Sequence, residues 1–393
     1  MTLKKKKKQA KYFEQIRVFQ RHLNYVRSVK FSPDATKIVS SSCDRTVRIW
    51  NLRSGKEIQM IVEHSNYVND AQFSPDGNTI VSCSDDKTIR LWDVHSISKI
   101  RKLEGHSHAV TSVQFSSNGS TIVSSSCDQT IRLWSVQSGQ EIKRFRGHMD
   151  WINDVQFSPD NQMLVSASDD KTIIIWNIQS GEKIHTFIGH SNYVTRAQFS
   201  PNGQLIVSGS WDTTVRIWDV KSTKELKILN GHSDWVFDVK FSPYGQTVVS
   251  CSRDKTIRIW NVKTGSEIDR LEGHEERVSG VDISADVNNL ACFEFLHRYL
   301  THFIKQTELK KNLTYKKNFG KLSNIFCHHQ QMSSIKTFVT IGTKKYQLEL
   351  TSLKLAGFKQ QILEVSKDEQ REDVLIKVTA NNECNIDTDG DLE

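Results

Sequence analysis

Residues that could perform nucleophilic or acid–base chemistry recur along this sequence at a fixed interval. Seven histidines lie 42 residues apart, and six of them are followed by a serine, an aspartate and a tryptophan at constant offsets. The six sets are His22, Ser40, Asp44 and Trp50; His64, Ser82, Asp86 and Trp92; His106, Ser124, Asp128 and Trp134; His148, Ser166, Asp170 and Trp176; His190, Ser208, Asp212 and Trp218; and His232, Ser250, Asp254 and Trp260. Serine, histidine and aspartate together can form a nucleophilic triad. An active site occurs once in a chain, however, so six copies predict a structural role.

Other motifs that would indicate catalysis or cofactor binding are missing from the sequence. It contains no Gly-rich phosphate loop, no His-Glu-x-x-His zinc motif and no nucleophile elbow. Cys327-His328-His329 lacks a second ligand pair at metal-binding spacing, and the acidic run from Asp387 to Asp391 lacks the Gly and Glu positions of a calcium loop. We therefore expect no catalytic residue, no cofactor and no metal site, and we predict that the protein is not an enzyme.

Short β-strands must position the repeated side chains. In residues 55–94, Ile58, Met60 and Val62 alternate with polar residues, and three further short runs are rich in β-branched and aromatic residues. Pro75-Asp76-Gly77 suits a tight turn, and all five prolines of the chain fall at this point of the repeat, so none interrupts a strand. Each unit is therefore predicted to form a four-stranded sheet, which must stack on its neighbours to bury both faces.

The repeated residues, with Gly-His ahead of them and segments such as Thr88-Ile89-Arg90-Leu91-Trp92-Asp93, resemble the WD-repeat family. The resemblance covers roughly residues 12–290. It implies an all-β fold, a WD-repeat β-propeller, in which the His, Ser, Asp and Trp of each unit form a buried hydrogen-bond network. The physical reason is that buried polar groups need partners, and an Asp–His–Ser–Trp chain satisfies all four.

The seventh unit begins like the others and then loses the pattern. Gly273-His274 and Val278 keep register, but His302 stands where Trp is expected and Leu296 where Asp is expected. Residues 13–19 lie where the family places the strand that closes the ring from the N-terminus. We therefore predict seven blades with a degenerate last one; the alternative is a six-unit or open fragment.

Charge and composition divide the chain into four parts. Residues 1–11 carry six lysines and no acid, and we interpret them as a basic N-terminal arm. Residues 12–303 hold six intact repeats and the degenerate seventh, and residues 304–332 are predicted to be a basic linker. Residues 333–393 show strand, strand, helix and strand patterns, and they resemble an incomplete β-grasp of the ubiquitin-like or PB1 type. The alternative for this last segment is a disordered tail.

The candidate partner-binding residues follow from the resemblance. In WD-repeat propellers the loops at one end of the blades, the top face, bring together the residues three and five positions after each His and the residue before each turn Asp. The residues at these positions that we predict to bind a partner are Tyr25, Arg27, Tyr67, Trp151, Tyr193, Trp211, Trp235, Phe237, Arg253 and Arg277. Tyr, Trp and Arg are the residues that most often dominate the binding energy of protein interfaces. Trp211 is the sharpest case, because Cys, Asp or Arg occupies its position in other repeats.

These observations predict a scaffold or adaptor that binds proteins or peptides through the top face as one subunit, itself monomeric, of a larger complex. One alternative is a nucleic-acid-associated or nuclear complex subunit that uses Lys4 to Lys8, although the neutral repeat region makes nucleic acid a weaker candidate. Another is a ubiquitin-ligase substrate receptor. The seven cysteines are scattered singly and no apolar run is long enough for a membrane span, so we expect an intracellular protein, cytoplasmic or nuclear.

Overall fold

A computed structural model describes residues 13–19, 21–284, 289–294, 300–306, 335–341, 344–350, 376–380 and 388–390. The chain divides into two compact units, Met1–Thr307 and Glu308–Glu393. All regular elements in the described residues are β-strands. Within those residues, no helix has the length and apolar character needed to cross a membrane.

The first unit begins with β1 (Phe13–Phe19) and continues with six four-stranded sheets, each made of consecutive strands. Blade 1 comprises β2 (Val26–Phe31), β3 (Lys37–Ser42), β4 (Val47–Asn51) and β5 (Glu57–Ile61). Blade 2 comprises β6 (Val68–Phe73), β7 (Thr79–Ser84), β8 (Ile89–Asp93) and β9 (Lys99–Leu103). Blade 3 comprises β10 (Val110–Phe115), β11 (Thr121–Ser126), β12 (Thr130–Ser135) and β13 (Glu141–Arg146).

The next three blades repeat this arrangement. Blade 4 comprises β14 (Ile152–Phe157), β15 (Met163–Ser168), β16 (Thr172–Asn177) and β17 (Lys183–Ile188). Blade 5 comprises β18 (Val194–Phe199), β19 (Leu205–Ser210), β20 (Val215–Asp219) and β21 (Glu225–Leu229). Blade 6 comprises β22 (Val236–Phe241), β23 (Thr247–Ser252), β24 (Ile257–Asn261) and β25 (Glu267–Leu271).

Turn chemistry separates the strands as the sequence indicates. Between β6 and β7 the Gly77 amide donates to the Ser74 carbonyl at 2.9 Å, and Gly77 has φ +74°, a conformation that residues with a Cβ rarely adopt. The Asp76 carboxylate accepts hydrogen bonds from the Ser74 hydroxyl and the Asn78 amide in the same turn. The turn therefore fixes the hairpin, and Pro75, which opens it, lies outside both strands.

The structure shows six complete blades, not seven, which corrects the predicted count. The strands β26 (Val278–Ile283), β27 (Asn289–Glu294) and β28 (Leu300–Gln306) follow blade 6, and their sheet takes its fourth strand from β1 in the order β1–β28–β27–β26. We call this the composite sheet. Among the described residues the seventh repeat supplies three strands, and the N-terminal strand pairs with β28, with Phe13 opposite Gln306 and Phe19 opposite Leu300.

The first strands of successive sheets pack against one another around a centre, and β26 packs against β2, so the sheets form a closed ring. The core lies between the sheets rather than within any one of them. A representative layer joins Val165, Ala167 and Ile173 of blade 4 to Val194 and Trp218 of blade 5. Each blade therefore buries its apolar faces only through both neighbours, as expected for radially stacked sheets.

The second unit has four described strands: β29 (Ile335–Ile341), β30 (Lys344–Leu350), β31 (Ile376–Ala380) and β32 (Thr388–Gly390). They form one antiparallel sheet in the order β30–β29–β31–β32. The predicted helix around Leu355 to Ile362 and the predicted linker at 304–332, apart from its first three residues, lie outside the described residues. So does the basic arm at 1–11. The β-grasp interpretation stays a prediction.

Candidate functional site

Each complete blade contains a chain of four side-chain hydrogen bonds built from the repeated residues. In blade 3, the Trp134 indole N–H donates to Ser124 Oγ at 2.9 Å, and Ser124 Oγ lies 2.8 Å from His106 Nε2. His106 Nδ1 lies 2.8 Å from Asp128 Oδ2, and the Thr130 hydroxyl also donates to this carboxylate. A neutral His106 that donates from Nδ1 and accepts at Nε2 satisfies every member.

The same geometry recurs in all six complete blades. Distances from Trp Nε1 to Ser Oγ are 2.8–2.9 Å, from His Nε2 to Ser Oγ 2.7–2.8 Å, and from His Nδ1 to Asp Oδ2 2.7–2.8 Å. The six serine side chains are completely buried. A hydroxyl that is buried and already paired on both sides cannot reach a substrate, so the arrangement joins strands rather than performing nucleophilic chemistry.

Burial and pairing shift the pKa values of the network in a consistent way. Burial lowers the pKa of five of the histidines below 6.5, and the hydrogen bond to the aspartate only partly offsets it; these are His22, His64, His106, His190 and His232. Burial raises the pKa of the six aspartates, but hydrogen bonds from His and Thr outweigh it and hold each pKa well below 3.8. These five imidazoles are therefore kept neutral and the six carboxylates ionised.

The composite sheet carries a reduced version of this network. His274 Nε2 lies 3.5 Å from Cys292 Sγ, and Cys292 occupies the position of the serine in the other repeats. Sequence inspection identified the missing Trp and Asp but not this substitution. The offset of 18 residues from His274 to Cys292 would have revealed it.

At the top face, the end of the blades where each first strand begins, the structure brings six of the ten predicted binding residues together. Trp211 and Trp235 stack with their ring centroids 3.9 Å apart and their planes 2° from parallel. The ring centroids of Tyr193 and Trp211 lie 5.1 Å apart, and the Arg253 guanidinium lies 4.4 Å from the centre of the Trp235 ring. The four side chains form a continuous row across the boundary between blades 5 and 6.

A second pair extends this row toward the composite sheet. Phe237 makes an edge contact with Trp235 at a centroid distance of 6.5 Å, and the Arg277 guanidinium lies 5.7 Å from the Phe237 ring. We call Tyr193, Trp211, Trp235, Phe237, Arg253 and Arg277 the aromatic–arginine cluster. Trp211 and Trp235 are each only partly exposed because they pack on each other.

The remaining predicted residues lie elsewhere on the same face. Trp151 precedes β14 and is 53% exposed, and Tyr67 precedes β6 and is also exposed. Tyr25 and Arg27 belong to blade 1, where the Arg27 guanidinium donates to Cys43 Sγ at 3.1 Å. The top face therefore offers one concentrated cluster over blades 5 and 6 and separate aromatic rings over blades 2 and 4.

Charged side chains in the centre of the ring were not anticipated from the sequence. Arg196 bonds to Asp154 at 2.9 Å and lies 3.6 Å from Asp238, and all three residues project from first strands. The same centre holds Lys30 and Lys240, and it borders a cavity of about 280 Å³. The sequence does contain a signal for them, because these charged residues stand inside the predicted first strands.

These central side chains connect consecutive blades. The Phe157 amide of blade 4 donates to Gln114 Oε1 of blade 3 at 2.6 Å, and the Phe241 amide donates to Gln198 Oε1 at 2.8 Å. The Val281 amide likewise donates to Asp238 at 3.1 Å. Asp238 and the two glutamines therefore help to hold neighbouring blades together. No cluster of metal-ligating side chains occurs among the residues that the structure describes.

Comparisons with known families agree with this architecture. Residues 13–51, 55–93 and 223–261 match the WD domain, G-beta repeat. Residues 75–232 match the family described as the second β-propeller of echinoderm microtubule-associated protein. No curated protein gives a significant match to the chain. Propellers of the WD-repeat type generally bind other proteins and are typically not enzymes. With its repeated tetrads and radially stacked four-stranded sheets, the part of the chain that these models match forms a β-propeller of WD repeats.

Proposed function

We propose that the chain is a protein-interaction scaffold whose partner binds the top face at the aromatic–arginine cluster. The observation that carries the proposal is the Trp211–Trp235 stack, which spans two blades and ends on Tyr193 and Arg253. Trp and Tyr supply large contact areas at low entropic cost, and Trp, Tyr and Arg dominate interface energetics when they cluster. The other complete blades have Cys, Asp or Arg at the position of Trp211, so the fold itself does not require a large ring there.

The stack is also rigid before a partner arrives. Two indoles in parallel contact restrict each other's rotation, and the Arg253 guanidinium over Trp235 fixes the end of the row. A surface that is already ordered loses less entropy on binding. This property favours a binding site over a chance group of exposed rings.

The test is capture of protein partners by the immobilised chain, compared with a Trp211→Ala/Trp235→Ala double variant. We expect the double variant to lose the main partner and to melt within a few degrees of the parent. Tyr244→Ala is the matched control, because Tyr244 is a 64% exposed aromatic beyond the opposite end of β22. A folded double variant that keeps every partner would place the binding site elsewhere.

We also propose that the composite sheet, which completes the ring beside the six blades, stabilises it by covering the faces of blades 1 and 6. Packing of β26 and β27 against β2 supports this, as does the place of Phe19 in the core beside Trp50. A ring that stayed open would expose two apolar faces and two sheet edges, which favours aggregation. A closed ring provides the rigid frame that the top-face site requires.

A further inference from the structure

The inner rim of the top face carries arginines on three adjacent sheets. Arg253 belongs to blade 6, Arg277 immediately precedes β26 of the composite sheet, and Arg27 lies in β2 of blade 1. Two of them are held on the aromatic rings already described, at 4.4 Å from Trp235 and 5.7 Å from Phe237. Trp235 and Phe237 are themselves in edge contact, with ring centroids 6.5 Å apart, so Arg253 and Arg277 each pack on one ring of a contacting pair.

The charges of Arg253 and Arg27 act on Arg277. Burial lowers the pKa of Arg277, and the positive charges of Arg253 and Arg27 lower it further. Like charges gathered on one side of a rim cost free energy unless an anion binds there. Glu276 acts on Arg277 in the opposite direction without reversing the lowered pKa. Asp234 lies 3.8 Å from Arg253, and both side chains are about two-fifths exposed, so water screens this pair.

The rim over blades 2 and 4 has the reverse charge. Asp85 of blade 2 and Asp169 of blade 4 occupy the repeat position that Arg253 occupies in blade 6. Asn69 and Asn153 donate to these two carboxylates at 2.6 and 2.7 Å. Burial raises the pKa of Asp169, and its acidic neighbours Asp150 and Asp170 add to the effect, which indicates a locally negative environment. The rim therefore carries arginines over blade 6, the composite sheet and blade 1, and acids over blades 2 and 4.

We propose that the top face binds an acidic peptide segment, whose carboxylates pair with Arg253, Arg277 and Arg27 while a neighbouring apolar side chain packs on the Trp211–Trp235 stack. This deepens the proposed function and rests on it. A guanidinium binds a carboxylate through two parallel hydrogen bonds, and an arginine already held on a ring loses little freedom in doing so. Asp85 and Asp169 repel the acidic end, so the charge pattern also sets the direction of the peptide.

The experiment selects binders from a displayed library of random short peptides on the intact chain. Selection is repeated on the Trp211→Ala/Trp235→Ala variant and on an Arg253→Gln/Arg277→Gln variant. Arg270→Gln is the matched control, because Arg270 is exposed on the outer strand of the same blade as Arg253 and pairs with Glu267. Circular dichroism and melting of each variant confirm that it is folded.

We expect peptides enriched by the parent chain to contain acidic residues beside apolar ones, and their affinity to fall as salt is raised. The Arg253→Gln/Arg277→Gln variant should bind them about tenfold to a hundredfold more weakly, whereas Arg270→Gln should not change the affinity. Enriched peptides that are neutral or basic, or that bind both arginine variants equally, would overturn this inference. If those peptides still need Trp211 and Trp235, the proposed function survives; if they do not, both fail.

Discussion

The backbone amide of Phe31 donates a hydrogen bond to Asp282 Oδ2 at 3.0 Å and joins two residues that are 251 positions apart. Phe31 ends the first strand of blade 1, and Asp282 lies in β26 of the composite sheet. The contact is the counterpart of the bonds from Phe157 to Gln114 and from Phe241 to Gln198 between consecutive blades. At the place where the ring closes, an aspartate takes the role of the glutamine.

Replacing Asp282 should weaken the closure. We expect Asp282→Ala to lower the free energy of unfolding by about 1–3 kcal/mol, because the Phe31 amide loses its acceptor. Asp282→Asn keeps an oxygen at this point and should lose less. Urea unfolding of both variants, with Gln198→Ala as the equivalent change inside the ring, gives the comparison. A stability of Asp282→Ala equal to the parent would show that the bond does not hold the ring closed.

The N-terminal strand should contribute as much as an ordinary outer strand. Phe19 is buried and contacts Trp50 at a centroid distance of 5.5 Å, just as Phe187 contacts Trp218 at 5.4 Å in a complete blade. Phe19→Ala and Phe187→Ala should each lower the free energy of unfolding by about 3–5 kcal/mol.

Deleting residues 1–20 should produce aggregation or a much lower melting temperature, whereas deleting 310–393 should leave the melting temperature of the propeller nearly unchanged. The reverse pattern on scanning calorimetry would mean that the tail, not β1, completes the ring.

In each tetrad the serine hydroxyl pairs with two groups, so removing it should leave both groups without a partner. Ser166→Ala removes the acceptor of the Trp176 indole N–H and the partner of His148 Nε2. Each group left buried without a partner costs about 1–3 kcal/mol. The exposed Ser138→Ala in the turn after β12 is the control, and its chemical unfolding curve should overlay that of the parent. If the unfolding curve of Ser166→Ala matched that of Ser138→Ala, the tetrad would not stabilise the blade.

The tetrads should also make the propeller sensitive to mild acid. Because five histidines have pKa values below 6.5 in the folded state, the unfolded chain binds more protons than the folded one as the pH falls below about 6.5. Stability should therefore fall progressively from about pH 7 toward about pH 5, before the aspartates begin to be protonated. The aspartates, whose pKa values are lowered from 3.8 in the folded state, also stabilise the fold, and this stabilisation is lost only as the pH falls below about 3.8.

Melting temperatures measured across this pH range provide the check. A His106→Gln variant, which removes one of the titrating groups, should be less stable at neutral pH but show a shallower decline in acid. A melting temperature that stays constant down to about pH 5 would mean that the imidazoles are protonated equally in both states.

The sequence by itself determined the repeated unit. The interval of 42 residues located every tetrad, and the Pro-Asp-Gly type turns located the ends of β6 and its equivalents. This was possible because strand alternation, turn conformation and the pairing of buried polar groups are local requirements that each unit must meet in the same way. The partner role of the ten top-face residues remains a prediction.

The tertiary structure alone decided which repeats meet and what their side chains do together. The resemblance to WD-repeat propellers placed Trp211 and Trp235 on one face, but only the packing of blade 5 on blade 6 stacks them at 3.9 Å. The central ion pairs of Arg196 and the bond from Phe31 to Asp282 likewise depend on the radius at which the ring closes. A repeat pattern fixes the contacts inside a unit, whereas contacts between units depend on how the sheets twist and pack, and no single repeat encodes that geometry.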